Sequence, residues 1–236
     1  MANLYIVATP IGNLEDITLR AISVLTNADL ILAEDTRVTK VLLDRYNIRT
    51  PMTISPDAFS RSGSRPKRRD GLKKLDRIVE LLKNGNNLAL VTDAGTPGIS
   101  DPGNYLIKEV LKEIPDLKII PIPGPNAAIA ALSISGFYSD EFVFLGFPPH
   151  KKGRQTFFRK IGETPETIVF YESKHRIIKT LEDLRSTALL GDRQLMVARE
   201  LTKQFETIYR GATEEVLKEL EEGNILGEFV IVINRK

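Results

Sequence analysis

Short apolar runs alternate with amphipathic stretches through the first half of the chain. Four of these runs are predicted to be buried strands, at residues 4–8, 30–33, 88–91 and 117–120. Between and after them, apolar residues recur at helical spacing at residues 14–25, 38–45, 73–83 and 104–113. Asn13 is expected to cap the first of these helices. Strands that alternate with helices predict a parallel sheet covered by helices.

The second half has a different order of elements. Strands are predicted at residues 142–146, 167–171, 194–199, 207–210 and 228–233, and helices near 126–135, 156–161, 176–184 and 214–221. The strands at 194–199 and 207–210 are consecutive, which predicts a hairpin and therefore a mixed sheet. The proline-rich linker near residue 121 predicts an α/β fold of two α/β domains, residues 1–121 and 122–236.

Composition excludes several kinds of site. The chain has 236 residues, no cysteine and a net charge of +2, so there is no disulfide, no thiolate nucleophile and no overall basic field. His150 and His175 lie 25 residues apart, and we expect no metal site. The absence of cysteine favours a reducing compartment, the cytoplasm. We expect no membrane partner because no apolar run is long enough to span a bilayer.

Three glycine- and proline-rich segments follow predicted strands, at residues 8–13, 93–103 and 121–128. Ligands bind at the carboxyl ends of strands in open α/β sheets, so the three segments predict a small-molecule pocket lined largely by main chain. Each segment taken alone is equally consistent with a tight turn. Neither the dinucleotide fingerprint nor the P-loop motif occurs, and a nucleoside with few phosphates fits better.

Seven segments of the chain resemble the tetrapyrrole methylase superfamily, the class III S-adenosylmethionine-dependent methyltransferases. They lie at residues 4–13, 34–37, 91–103, 122–132, 144–147, 170–176 and 198–203, and they cover nearly the whole chain in order. Glu-Asp-Thr-Arg at 34–37 and Asp-Ala-Gly-Thr-Pro at 93–97 resemble the RNA-directed branch of the family. The tetrapyrrole enzymes carry Gly-Asp-Pro where this chain has Gly95-Thr96-Pro97.

The resemblance implies that S-adenosylmethionine lies in a cleft between the two domains. Residues 10–12 would border the cleft, 94–101 would wrap the methionine and ribose parts, and 125–127 would flank the sulfonium. Three residues of the second domain would line the adenine side. The implied set is Pro10, Ile11, Gly12, Ala94, Gly95, Thr96, Gly98, Ile99, Ser100, Asp101, Pro125, Asn126, Ala127, Tyr171, Ala198 and Glu228.

The implied reaction needs an oriented acceptor hydroxyl and a group that removes its proton. Six charged residues that follow predicted strands are candidates for catalytic roles: Asp35, Arg37, Glu172, Lys174, Glu200 and Lys203. Each of these candidates also has a purely structural interpretation. Asp35 could cap a helix with Arg37 as its partner, and the residues after Glu172 could form a solvated basic helix start. Glu200 and Lys203 could form a salt bridge at the end of a hairpin. A lysine acting as a base would need a lowered pKa.

A strongly basic stretch, residues 56–70, interrupts the pattern and is predicted to be a flexible loop. Both a solvated loop and a contact with RNA phosphates are consistent with its charge. Relatives carry a histidine- and asparagine-containing segment after Ser55, and residues 56–66 replace it here. A substrate role of that segment therefore does not transfer to this chain.

The resemblance implies a cytoplasmic homodimer that uses S-adenosylmethionine to methylate a ribose 2′-hydroxyl. The acceptor would be a cytidine of small-subunit (16S) ribosomal RNA within the assembled 30S particle. Two alternatives are a small-molecule methyltransferase of the tetrapyrrole or diphthine type, and a non-catalytic RNA-binding protein that keeps a vestigial cofactor cleft.

Overall fold

The computed structural model describes residues 2–56, 69–101, 103–186 and 190–236, without the side chains of residues 69 and 70. The chain divides into two compact units, Met1–Asn126 and Ala127–Lys236. The boundary predicted after residue 121 lies five residues before this division. Most of the basic stretch at 56–70 lies outside the described residues. No described helix is both long and apolar enough to cross a membrane.

The first unit holds a parallel sheet with the strand order β3-β2-β4-β1-β5. Its strands are β1 Asn3–Val7, β2 Leu30–Ala33, β3 Met52–Ile54, β4 Leu88–Val91 and β5 Lys118–Ile122. Its helices are α1 Leu19–Asn27, α2 Thr36–Arg45, α3 Arg69–Lys83 and α4 Asn104–Glu113, and a short 3-10 helix spans Leu14–Asp16. Because all five strands are parallel, their carboxyl ends share one edge of the sheet.

Strand β4 shows why its sequence has no polar position. Leu88 and Leu90 pack with α3 and α4 on one face, and Ala89 and Val91 pack with α1 and α2 on the other. Successive side chains of a strand point to opposite faces, so a strand covered on both faces is apolar throughout. The prediction of a helix-covered parallel sheet is confirmed.

Two local predictions for this unit are wrong. The sequence pattern missed β3, whose three residues are too few for a periodicity to show. Asn13 caps the 3-10 helix by accepting from the Glu15 N–H, whereas Thr18 caps α1 by accepting from the Ala21 N–H. The apolar positions from 14 onwards therefore belong to two helical segments, each with its own cap.

The second unit holds a mixed sheet with the strand order β6-β7-β10-β8-β9. Its strands are β6 Phe142–Phe144, β7 Thr167–Ser173, β8 Leu195–Arg199, β9 Thr207–Gly211 and β10 Glu228–Ile233. Its helices are α5 Ala127–Ser135, α6 Arg154–Glu163, α7 Ile177–Ser186 and α8 Thr213–Glu222. Strand β6 is parallel to β7, and all other pairs are antiparallel, so the predicted β8–β9 hairpin and mixed sheet are confirmed.

One face of this second sheet carries a continuous core. Helices α6, α7 and α8 pack there against β7, β8 and β10, with Phe170 and Phe229 as its largest fully buried side chains. Helix α5 contacts β7 and β10. Strands β7 and β8 are both antiparallel to β10, so their carboxyl ends meet at one edge, beside the start of β10.

Candidate active site

The three predicted ligand loops lie at the carboxyl edge of the first sheet and are bonded to one another. Thr9 and Gly95 exchange two backbone hydrogen bonds, with N···O distances of 2.8 and 3.0 Å. The Thr96 hydroxyl donates to the Pro125 carbonyl at 3.2 Å, and the Asn126 side-chain amide donates to the Thr96 hydroxyl at 3.4 Å. Thr9, which precedes the predicted segment 10–12, is therefore bonded to the segment 94–101, and that segment is bonded to residues 125–126. Ala127, the last residue of the predicted segment 125–127, begins α5 of the second unit.

Two glycines permit this close approach. Gly95 has a φ of 86°, a conformation that L side chains rarely adopt, and a Cβ there would lie 3.6 Å from Ile11 Cγ2. A Cβ on Gly124 would lie 3.0 Å from the Ala8 Cβ. Glycine at these positions lets the loop after β4 and the loop after β5 come close to the loop after β1.

The loop after β4 has three residues that are exposed to solvent, Ala94, Ile99 and Ser100. Ser100 has a φ of 61°, which is uncommon for a residue with a Cβ. The side-chain amide of Asn104 donates to the Gly98 carbonyl at 2.9 Å and holds the loop against the start of α4. An exposed loop whose backbone conformation depends on glycines is suited to a nucleoside-bearing ligand.

A chain of polar contacts joins the ends of β2 and β4. The Glu34 carboxylate accepts from the Thr92 hydroxyl at 2.6 Å and from the Asp93 N–H at 3.2 Å. The Asp93 carboxylate in turn accepts from the Asp35 N–H at 3.0 Å. Asp93 is thereby held beside the loop at 94–101, with a second carboxylate as its neighbour.

These contacts shift the pKa values of Asp93 and Asp35 in opposite directions. Burial, followed by the charge of Glu34, raises the pKa of Asp93. Asp35 accepts from the backbone N–H and the guanidinium of Arg37, and the side-chain bond lowers the pKa of Asp35 to about 2. The same pair raises the pKa of Arg37. Asp35 also caps α2, with Arg37 as its partner. This is the structural role that the sequence offered as the alternative to a catalytic one for these two residues.

A pocket of about 490 Å³ opens beside Asp93 in the first unit. This volume lies within the range of small-molecule sites. Most of its wall is aliphatic, and the polar groups come from the ends of β1 and β4 and from α2. The lining residues are Thr9, Pro10, Leu14, Asp35, Arg37, Val38, Thr39, Val41, Leu42, Thr92 and Asp93.

Thr39 stands out among these residues. Its side chain is 3 % exposed, and its hydroxyl has no hydrogen-bond partner in the part of the chain that the structure describes. Buried hydroxyls in folded proteins nearly always have a partner, so an unpaired one in a residue that lines a pocket calls for an explanation. The apolar spacing of α2 gave no sign of this group.

The three second-unit residues implied at the adenine side lie at one edge of the second sheet. The Tyr171 hydroxyl accepts from the Ala128 N–H at 3.2 Å, and its ring packs against Phe144 and Phe147. Ala198 is buried inside β8, and Glu228 begins β10. Their role at a cofactor stays a prediction.

Glu200, Lys203 and Glu228 form a closed ionic cluster at this edge. The Lys203 ammonium lies 2.9 Å from Glu200 Oε1 and 2.9 Å from Glu228 Oε2. Burial alone would lower the pKa of Lys203, but its bonds to the two carboxylates outweigh burial and raise it. For Glu200, burial opposes the bonds from Lys203 and from the Glu228 N–H, and the pKa is lowered. A lysine with a raised pKa is an ammonium at neutral pH, not a base.

The group after β7 is also paired. Glu172 is 1 % exposed and accepts from the Ser173 N–H, from the Thr180 hydroxyl at 2.6 Å, and from Arg176 Nη2 at 2.7 Å. Lys174 and His175 are exposed in the turn before α7. This network ties the end of β7 to α7. His150 is exposed as well, and no cluster of three or more potential metal ligands occurs within the described ranges.

Of the residues predicted from the sequence, the structure gathers the first-unit cofactor set and Asp35 with Arg37 along one sheet edge. It gathers Glu200, Lys203 and Glu228 at the edge of the other sheet. Two groups were missed as site residues, Asp93 and Thr39. Asp93 had a detectable signal, since it lies between a buried strand and a glycine-rich loop, whereas the isolation of the Thr39 hydroxyl depends on packing.

Comparison with known proteins identifies the family. The model of the Tetrapyrrole (Corrin/Porphyrin) Methylases matches residues 3–217. A protein of Thermotoga maritima, named ribosomal RNA small subunit methyltransferase I, is 41 % identical over 236 residues, with all of both chains covered. A Haemophilus influenzae protein of the same name is 45 % identical over 238 residues, which cover 99 % of this chain and 78 % of that protein.

Solved structures share the fold at low identity. Diphthine synthase matches 99 % of this chain and 90 % of its own, with a TM-score of 0.69 and 12 % identity. The uroporphyrin-III-C-methyltransferase of Thermus thermophilus matches 98 % of this chain and 94 % of its own, with a TM-score of 0.60 and 17 % identity. These likenesses show the fold alone. With the family model matching most of the chain and relatives above 40 % identical over nearly all of it, the chain belongs to the tetrapyrrole methylase family, as its sequence motifs predicted.

Proposed function

We propose that this protein transfers a methyl group from S-adenosylmethionine to a ribose 2′-hydroxyl of small-subunit ribosomal RNA. The observation that carries the proposal is the position of Asp93. Its carboxylate lies at the end of β4, directly before the exposed loop at 94–101, and lines a pocket at the same edge. The full-length relatives named for ribosomal RNA support the choice of acceptor.

The first-unit loops fit the cofactor. Ala94, Ile99 and Ser100 are exposed there, Gly95 has a φ that L side chains rarely adopt, and Gly124 leaves room for the close approach of Ala8. Pro10, Thr96 and Asn126 belong to the same bonded edge. When bound, S-adenosylmethionine supplies a methyl group carried on a positively charged sulfur. The chain itself has to orient the acceptor oxygen and accept its proton.

Asp93 is the group we assign to proton acceptance. A carboxylate with a raised pKa is a better base near neutral pH than an ordinary carboxylate. Asp35 is less suited because the Arg37 guanidinium lowers its pKa to about 2. Asp93 would accept the proton of the ribose hydroxyl, whose oxygen would receive the methyl group that the bound cofactor supplies.

The proposal is tested with small ribosomal subunits purified from a strain that lacks this protein. The subunits receive labelled methyl groups from S-adenosylmethionine, with free ribosomal RNA and a tetrapyrrole as parallel acceptors. We expect label in the subunit, in an alkali-resistant dinucleotide, because a 2′-O-methyl group blocks alkaline cleavage. Digestion to nucleosides identifies the base, which the family resemblance predicts to be cytosine.

Two outcomes separate the alternatives. Label in the tetrapyrrole and none in RNA would replace this function with small-molecule methylation. Cofactor binding with no label in any acceptor would support a binding protein with a vestigial cleft. Chromatography with light scattering on the same preparation tests the predicted homodimer independently of activity.

A further inference from the structure

We infer that the pocket beside Asp93 holds the base of the RNA nucleotide whose ribose is methylated, with Thr39 bonded to the polar edge of that base. This inference rests on the proposed function and deepens it. It assigns a substrate-binding role to one face of α2, where the sequence motifs indicated only Asp35 and Arg37.

The shape and lining of the pocket favour a planar ring. Pro10, Leu14 and Leu42 contribute aliphatic wall, as do Val38 and Val41, whose side chains are 44 % and 59 % exposed. Val38, Val41 and Leu42 lie three and four residues apart and so share one face of α2. Exposed valines beside a pocket of about 490 Å³ provide an apolar surface that an unstacked nucleobase would cover.

The Thr39 hydroxyl supplies the polar contact that such a ring needs. Thr39 lines the pocket, and its hydroxyl lacks a partner among the described residues; the hydroxyl has almost no accessible surface, so the contact with the base requires the side chain to rotate toward the pocket. A hydroxyl can donate one hydrogen bond and accept others, so it can pair with a ring nitrogen, a carbonyl or an exocyclic amine. An aliphatic ligand would leave this hydroxyl unpaired, whereas a nucleobase edge satisfies it.

The charges at the rim suit a nucleotide. Arg37 is 88 % exposed and binds Asp35 through Nε and Nη2, while Nη1 has no partner among the residues that the structure describes. A guanidinium with a spare donor at the mouth can contact a backbone phosphate. Asp93 also lines the pocket and directly precedes the loop at 94–101, and we place the ribose hydroxyl of the bound nucleotide beside it.

Photocrosslinking tests the occupant directly. Val41→p-benzoylphenylalanine places a photoreactive group at the pocket wall, and Asp44→p-benzoylphenylalanine is the matched control, on the same helix but outside the pocket lining. We expect the first variant to crosslink to small subunits at the nucleotide that receives the methyl group. A crosslink at a distant nucleotide, or none from a variant that still binds subunits, would overturn the inference.

Thr39→Val gives a second, independent readout. Removing an unpaired buried hydroxyl should leave the free energy of unfolding unchanged or raise it, because no bond is lost in the free protein. The kcat/KM for subunits should fall about threefold to tenfold, with the Kd for S-adenosylmethionine unchanged, because one hydrogen bond to the base is lost. Thr39→Ser, which keeps the hydroxyl, should restore most of the loss.

The results separate this inference from the proposed function. Normal kcat/KM in Thr39→Val with methylation of RNA intact would overturn the base contact and leave the function standing. A loss of folding stability in Thr39→Val would assign the hydroxyl a structural role and also overturn it. Absence of RNA methylation by the unaltered protein would instead remove the proposed function.

Discussion

Both sheet edges of this protein carry charged residues, but within the described residues only the first edge combines a carboxylate of raised pKa with a pocket. At the edge of the first sheet, Asp93 has a raised pKa and borders a pocket with an unpaired hydroxyl on Thr39. At the edge of the second sheet, Glu172 is enclosed by its partners, and Lys203 is held between two carboxylates.

The difference separates groups that are available for chemistry from groups that hold the fold. Satisfied ion pairs stabilise one arrangement and hold each group in its charged form. A partly desolvated carboxylate and an unpaired hydroxyl are costly in the free protein, and a ligand relieves that cost. We therefore expect activity to depend on the first edge and stability on the second.

The largest expected effect is that of Asp93→Asn. The amide keeps an oxygen that can accept from the Asp35 N–H, but it cannot take up a proton at neutral pH. We expect kcat for subunit methylation to fall by about 10²- to 10⁴-fold, the usual contribution of a general base. The measurement is single-turnover methyl transfer at saturating cofactor.

Asp44→Asn is the matched control for this variant, since it makes the same change on an exposed residue of α2 that pairs with Lys40. It should retain full activity. Asp93→Asn with a kcat near that of the unaltered protein would break the contrast between the two edges, because the first edge would then lack its proton acceptor.

Glu172→Ala sharpens the second half of the comparison. The change removes the partner of a half-buried guanidinium and of the Thr180 hydroxyl, and breaking a largely buried pair of this kind costs about 3 kcal/mol. Urea unfolding should show this loss in the free energy of unfolding. Glu172→Gln should lose less, because its oxygen can still accept, and methyl transfer at a temperature where the variants are folded should stay within severalfold.

If Glu172→Gln folds normally but loses methyl transfer by orders of magnitude, Glu172 acts in catalysis and the contrast fails on that side.

The pH dependence tests the sign of the Asp93 shift. The active form is the carboxylate, so kcat falls about tenfold per pH unit below the pKa of Asp93. Because burial and the charge of Glu34 raise that pKa, the midpoint should lie above the ordinary value of an aspartate. Glu34→Gln keeps an acceptor for Thr92 but removes the charge, so the midpoint should move to lower pH.

A midpoint that does not move in Glu34→Gln would show that another group controls the acid side of the profile.

Lys203→Met should have the smallest effect. Lys203 and Glu228 are partly exposed, and pairs of that kind contribute about 0.2–1 kcal/mol. We expect a change of that size in urea unfolding and little change in kcat. Lys203→Arg, which keeps the charge, is the control. A large loss of kcat in Lys203→Met without a loss of stability would show that Glu200, Lys203 and Glu228 take part in catalysis.

Strong local patterns made most of the fold predictable. The apolar runs at β2 and β4 and the helix at α4 were predicted with the same bounds that the structure has, since each is long enough for its burial to show in the sequence. Strand β3 was missed because its three residues are held by pairing with β2, a long-range contact. The cap of α1 was misassigned because Asn13 and Thr18 both have capping side chains, and only the backbone path selects between them.

The candidate site was predictable where it is made of main chain. Glycine and proline at 94–98 and 124–125 limit the backbone directly, so the cofactor loops are visible in the sequence. The charged candidates were harder to rank. Glu172 is paired with a cation, whereas the pKa of Asp93 is raised. Which of these applies to a carboxylate depends on neighbours that are distant along the chain.

The sequence by itself determined the class of both domains, the family and the glycine- and proline-rich loops that are predicted to surround the cofactor. These follow from periodicity, from backbone-limiting residues and from motif order, which are all local along the chain. Only the tertiary structure decided which polar groups remain available. It placed Glu34 beside Asp93 across 59 residues and left Thr39 unpaired next to a pocket, because pairing and burial are set by packing between segments.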